Sequence, residues 1–171
     1  FGFIRPYKGL DLLLDAMADP RVKEIGVKLV IAGEFYEDQK SYINQIERNG
    51  LGDRVLLHTS FIPKDKVKNY FCAADMVVQP YRNATQSGIT QIAYQFDRPM
   101  LVTNVGGLAE IVPNGKVGYV TAINSGAIAD AIFDFYTNQR ELEFSVNVRA
   151  EKEKFSWSSF IQGILQLYET I

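Results

Sequence analysis

Cysteine, histidine and tryptophan each occur once in this 171-residue sequence, and no residue sign predominates. The lone Cys72 excludes an internal disulfide and makes a reducing compartment, the cytoplasm, the expected setting. Its place inside the apolar-periodic "YFCAAD" predicts a small core residue. A single histidine, His58, leaves no His, Cys, Asp and Glu set with metal-ligand spacing, so any ligand binding is expected to be metal-independent. His58 itself, inside "LLHTSF", reads as a packed or edge-facing strand residue. No run approaches the roughly 18 apolar residues of a membrane span, and the N-terminus lacks the pattern of a signal peptide. Membrane contact is not indicated. With 18 basic against 20 acidic residues and a net charge of −2, the chain lacks the one-signed field that nucleic acid or an anionic bilayer selects. Any anion it binds must be met locally. Repeats, linkers and low-complexity segments are also missing.

What is present is apolar mass: 47% of the residues are hydrophobic, enough for one domain spanning 1–171 with its own core. Helical periodicity over 8–18 gives way to the β-branched run "VKLVIAGE", which reads as a strand buried on both faces. The alternation continues with helix 38–48, strand "RVLLHTSF", helix 64–73, strand "DMVVQPY", helix 87–96, strand "RPMLVTNV", a short helix at "LAEIV" and a short strand "GYVTA". Three helices follow, the last beginning at Ser156 or Ser158 as cap. Strands separated by helices of this length require right-handed crossovers and a parallel sheet. The expected fold class is α/β, a Rossmann-like doubly wound parallel sheet with helices on both faces. The opening "FGFI" is too short for a strand lying under the loop that follows it, and the chain is expected to be a piece of a longer protein.

In such a sheet, ligands bind beyond the carboxyl ends of the strands. The loops gathered there carry the candidate residues. In "GFIRPYKG", Gly2 and Gly9 permit tight turns, and Arg5 and Lys8 offer a forked donor and a point charge to one anion. Arg5 precedes Pro6, which favours an extended conformation outside the helix. The alternative is two solvated cations beside a helix. In "NATQSGITQIAYQF", the start of a helix supplies free N–H groups, Gly88 allows close approach, and Ser87 or Thr90 adds a hydroxyl. A plain helix cap accounts for the same residues. In "VGGLAEIV", Gly106 and Gly107 bring backbone amides toward a ligand or simply make a turn. Trp157 reads as a core anchor, and the "KDKVK" and "AEKEK" runs as solvated helix faces.

The ordered set "GFIRPYKGLDLLLDA", "LVIAGE", "VLLHTSFIP", "AADMVVQPY", "QSGITQIAYQFDRPMLVTNVGGLAEIV", "NGKVGYV" and "KFSWSSFIQGILQLYE" resembles the C-terminal half of retaining glycosyltransferases of the GT-B fold, over essentially the whole chain. The resemblance implies a domain that holds a nucleotide-sugar donor against an N-terminal acceptor domain across a cleft. It implies that Arg5 and Lys8 contact the donor diphosphate, as do Ser87, Gly88 and Thr90 at the helix start. The stretch around Phe61 and Ile62 lines the base, and Gly106 and Gly107 lie on the sugar side. The sequence departs from the family in one respect. Two glutamates eight residues apart fall at Ala84 and Ile92, or with a one-residue gap the second falls at Ala93, and neither register supplies a carboxylate. Gln86 or Gln91 then stands in as a neutral hydrogen-bonder near the ribose.

Two other readings keep the scaffold: a nucleotide-sugar epimerase-like domain, and a non-catalytic nucleotide-binding module. A response-regulator receiver fails for want of an acidic cluster at the first strand and a phosphoacceptor Asp after the third.

Overall fold

The helix expected behind the opening loop forms over Leu10–Met17 (α1), and its apolar spacing buries Leu10, Leu13, Leu14 and Met17. The computed structural model describes residues 1–169. After α1 comes a short helix the sequence reading missed, Pro20–Ile25 (α2), set up by Asp19 capping Arg21 N and by Pro20 in the first turn. The order then runs β1 Leu29–Ala32, α3 Lys40–Arg48, β2 Val55–His58, α4 Lys64–Ala73, β3 Val77–Gln79, α5 Gly88–Gln95, β4 Met100–Thr103, α6 Leu108–Ile111 and β5 Gly118–Thr121. Three helices close the chain, α7 Ser125–Thr137, α8 Glu141–Glu151 and α9 Trp157–Glu169.

All strand pairs are parallel, as the crossover argument requires. One hydrophobic cluster joins α1, α2 and α7 to Ile31, Val78 and Leu101. A second joins Phe71, Ala93, Tyr94 and Leu108 to Val77, Met100 and Val102. Neighbouring residues of one strand thus feed opposite clusters, which is the strand period of two with helices on both faces. Strand β4 is buried along its whole length.

Five expectations need correction. The sheet is not continuous: β1 pairs with β2, β3 with β4 and β5, and no ladder joins the two groups among the described residues. The run "VKLVIAGE" is accordingly not buried on both faces, since Val30 is 49% exposed. Cys72 is exposed, because α4 turns Phe71 inward with Val67 and Tyr70 beside it, and the next residue points about 100° away. Trp157 is 79% exposed and meets Phe160 of its own helix edge-on. The cap of α9 is Ser156, whose Oγ accepts from Ser159 N at 3.1 Å; Thr170, at the end of the expected last helix, lies outside the described residues. The "AEKEK" run is only partly solvated, because Glu151 is buried between Lys116 and Lys154.

Candidate functional site

The loop 1–9 is held open by backbone geometry. Arg5 is extended (φ −132°, ψ 152°) ahead of Pro6, as its sequence context requires. Pro6–Lys8 make one 3-10 turn, and Gly9, at φ 66°, closes it and opens α1. No larger residue fits at Gly9, because a Cβ there would lie 2.0 Å from the Pro80 carbonyl oxygen. The same contact seats the loop against the segment after β3. Arg82 strengthens the junction: its N–H donates to Tyr7 O at 2.7 Å, and its guanidinium makes a two-pronged pair with Asp11, both contacts 2.6 Å. The Arg82 fork holds the Asp11 carboxyl below the usual carboxylate range.

Each candidate cation rests on an aromatic ring from another loop. The Arg5 guanidinium carbon sits 4.3 Å from the centroid of Tyr36, in the loop after β1, and the Lys8 ammonium 5.7 Å from that of Tyr81, after β3. Neither cation has a carboxylate partner among the described residues. Burial, and then the Arg5 charge, pull Lys8 below the ordinary lysine value. A cation in that state gains from an anion beside it.

Lys8 also meets α5. A Cβ built on Gly2 would lie 3.8 Å from Lys8 Nζ and 3.9 Å from Ile89 Cδ1, so the ammonium and the first turn of α5 flank the same point. Ser87 is the cap of α5, its Oγ accepting from Ile89 N at 3.3 Å. Gly88 is exposed with nothing within 4 Å of where a Cβ would stand, so the helix start is open to solvent. The structure therefore brings Lys8 beside the first turn of α5, which Ser87 and Gly88 open, with Arg5 on the same loop against Tyr36, beyond the carboxyl ends of β1 and β3.

Thr90 does not join them. It is fully buried on the inner face of α5 and its hydroxyl pairs with the buried Gln79 amide of β3, 3.2 Å from Nε2. The spacing Thr90, Ala93, Tyr94 is the buried stripe of that helix. Gln86 and Gln91 are exposed. Of the positions where the resemblance expects glutamate, Ala93 is fully buried and Ala84 and Ile92 half-buried. Gly106 and Gly107 pack on the loop before α5: Gly107 N donates to Thr85 O at 3.0 Å, and a Cβ on Gly106, at φ 48°, would strike the Ala84 carbonyl at 1.7 Å. That close approach explains Gly106 by packing alone. Phe61 and Ile62 line a separate concavity of about 430 Å³ after β2, with Thr59, Lys66 and Tyr70. Phe61 is exposed there, and the Tyr70 hydroxyl is 2.9 Å from His58 Nδ1, which places His58 at the rim of that concavity rather than in a core. Among the described residues no group of three His, Cys, Asp or Glu is placed to hold a metal, and no helix is long and apolar enough to cross a membrane.

The sequence reading missed Tyr36 and Tyr81. The signal was an aromatic in each of the loops "GEFYED" and "QPYRNA" facing the cationic loop. Because Tyr36 is 64% exposed, Tyr36→Ala removes little packing. It is expected to weaken nucleoside-diphosphate binding about 2- to 5-fold by calorimetry, the effect of a solvent-exposed cation–π contact, and Tyr36→Phe to restore it.

Residues 1–138 match the family model described as glycosyl transferases group 1. An uncharacterised glycosyltransferase of Methanocaldococcus jannaschii is 29% identical over 174 residues, covering 99% of this chain and 47% of that protein. The lipopolysaccharide 1,2-N-acetylglucosaminetransferase of Salmonella typhimurium is 24% identical, over 94% of this chain and 45% of its own length. The chain thus spans about half the length of the curated relatives it matches. Among solved structures, Anabaena HepE in complex with UDP-glucose superposes with a TM-score of 0.79 at 22% identity, over 99% of this chain and 48% of that one. The C-terminal domain of a group 1 glycosyl transferase from Francisella tularensis gives 0.79 at 18% identity, covering 90% and 82%. These likenesses show the fold, that of one GT-B domain. On the family match, which takes in the cationic loop, every strand and α5, the chain belongs to the glycosyl transferases group 1 family.

Proposed function

We propose that this chain is the donor-binding domain of a glycosyltransferase that moves a sugar from a nucleoside diphosphate to an acceptor such as a growing glycan or lipid-linked saccharide. The observation that carries the reading is that the loop bearing Arg5 and Lys8, neither ion-paired among the described residues, sets Lys8 beside the open N-terminus of α5. A diphosphate there receives two charge-assisted contacts and the backbone N–H groups of a helix start, whose dipole favours anions. The charge is met without a metal ion. The base lies by Phe61 and Ile62, the ribose near Gln86 or Gln91, and the sugar toward Gly106 and Gly107. HepE, a structural neighbour, is bound to UDP-glucose in its complex, which supports a nucleotide-sugar ligand here. Acceptor contacts and the second wall of the cleft belong to an N-terminal domain.

The absence of a carboxylate at Ala84 and Ala93 favours a second reading, a binding module without turnover. A thermal-shift panel of nucleoside diphosphates and nucleotide sugars tests the binding step common to both. A ligand at 100 times its Kd stabilises the native state by about 2.7 kcal/mol, and the unphosphorylated nucleosides are expected to give far less. Full-length protein that binds a donor yet never turns it over supports the second reading.

Gly88→Val gives a sharper check, since the open space around Gly88 lets the fold accept valine while the branched side chain stands where a phosphate oxygen approaches. UDP affinity is expected to fall about tenfold or more with the circular dichroism spectrum unchanged. Unchanged affinity in the folded variant removes α5 from the site.

A further inference from the structure

We infer that, on the reading of a diphosphate site given above, Gln79 is a positioning residue for that site: through Thr90 it ties the first turn of α5 to the strand end that also seats the cationic loop. Phosphate affinity then depends on a side chain buried beneath the helix.

Gln79 ends β3, and the strand period of two sets its side chain on the same face as Val77, which packs in the cluster that holds Ala93 and Tyr94 of α5. Amid these apolar groups Gln79 Nε2 donates to Thr90 Oγ1 at 3.2 Å, and Thr90 Oγ1 lies 3.4 Å from Gln79 Oε1. Both side chains are buried. Burying such a pair costs desolvation that two apolar residues of the same size avoid, so packing alone does not account for it. What a hydrogen bond adds is direction. It holds only within a narrow range of distance and angle, whereas apolar contact tolerates sliding.

The residues that follow Gln79 hold the other half of the site. The Pro80 carbonyl abuts Gly9, the Tyr81 ring carries Lys8, and Arg82 grips Tyr7 O and the Asp11 carboxylate. Tyr81 is itself fixed, since its carbonyl accepts from the buried Thr103 hydroxyl at the end of β4. One run of four residues thus seats the cationic loop through 80–82 and α5 through Gln79.

The far part of α5 is held elsewhere, by the Tyr94 hydroxyl donating to Ile111 O of α6 at 2.6 Å. Ser87 and Gly88 lie within one turn of Thr90, so a tilt of that turn carries them with it. A charge-assisted contact is about 2.7–2.9 Å long, and a displacement of about 0.5 Å is enough to weaken it. Lys8 and the amides at the start of α5 therefore meet on one phosphate while Gln79 and Thr90 stay paired, and drift apart when they do not.

Calorimetry with UDP and with uridine, and Tm, compare the parent protein with four variants. Thr90→Val strands the buried Gln79 amide and is expected to lower Tm by about 4 °C or more and to weaken UDP binding about tenfold, with uridine within about twofold. Thr90→Ser keeps the hydroxyl and is expected to keep UDP affinity within about twofold. The double variant Gln79→Leu/Thr90→Val removes both polar groups, which restores most of the Tm but not the direction. Its UDP affinity is expected to stay about 5-fold or more below the parent. Tyr94→Phe frees the far part of the helix and is expected to lower Tm while leaving the ratio of UDP to uridine affinity unchanged. Parental UDP affinity in the double variant or in folded Thr90→Val overturns the proposal. So does a fall in that ratio for Tyr94→Phe as large as for Thr90→Val, which makes the effect a general loosening of α5. A parent that binds UDP no more tightly than uridine refutes the diphosphate site itself, and the role of Gln79 with it.

Discussion

Replacing Arg5 and Lys8 together with alanine is expected to weaken UDP binding about 100-fold or more while leaving uridine binding within about twofold. Charge-assisted hydrogen bonds contribute roughly 1.5 to 3 kcal/mol each, so two correspond to about two to four orders of magnitude. Their rings keep both cations near the opening without neutralising them, since Tyr36 and Tyr81 offer only quadrupoles. The burial and the Arg5 charge that pull Lys8 down are offset when a diphosphate lies between the two cations. The double variant should fold as well as the parent, because neither side chain is ion-paired among the described residues and Arg5 is exposed. Calorimetry with both ligands checks it. Equal losses for UDP and uridine remove the two cations from the phosphate site.

A second large effect concerns turnover. The chain alone is expected to bind donor and to transfer no sugar. In the proposed site Arg5, Lys8, Ser87 and Gly88 all contact the donor, and none of them is an acceptor-side base. Transfer depends on holding donor and acceptor together with water excluded. Effective molarities worth roughly 7 to 11 kcal/mol are lost when one partner has no site. The assay uses UDP-glucose with a panel of sugar and lipid-linked acceptors, first with the 171-residue chain and then with a longer protein carrying a preceding domain. Robust transfer by the chain itself places a complete active site within these loops and contradicts the account.

Much of this architecture can be read from periodicity. The α1 stripe, the continuous apolar run of β4 and the strand–helix alternation are local patterns, and local patterns survive into the fold. The turn and the helix start on which the proposed anion site rests were legible for the same reason, since "RPYKG" and "QSG" each announce one of them. Thr90 was misassigned to that site although its own spacing with Ala93 and Tyr94 marks it as inward-facing. A helix start exposes its first amides but not every hydroxyl of its first turn. Trp157 and Cys72 failed differently, since burial of an apolar residue depends on a surface opposite it, which spacing along one helix does not encode. The break between β2–β1 and β3–β4–β5 was beyond reach for the same reason. Strand order is a long-range property that no local pattern of the chain encodes. Tyr81 joins Lys8 and Tyr7 through a cation–π and an edge-on ring contact, neither visible before the loops are brought together.

The central claim is that this chain grips a nucleoside diphosphate by its phosphates. Titrating UDP, UMP and uridine into the 171-residue chain by calorimetry, with and without EDTA, tests it most directly. The account predicts affinity rising steeply from uridine to UDP, by about 100-fold or more, with the chelator changing nothing. Equal affinities for the three ligands, or UDP binding abolished by EDTA, would contradict it.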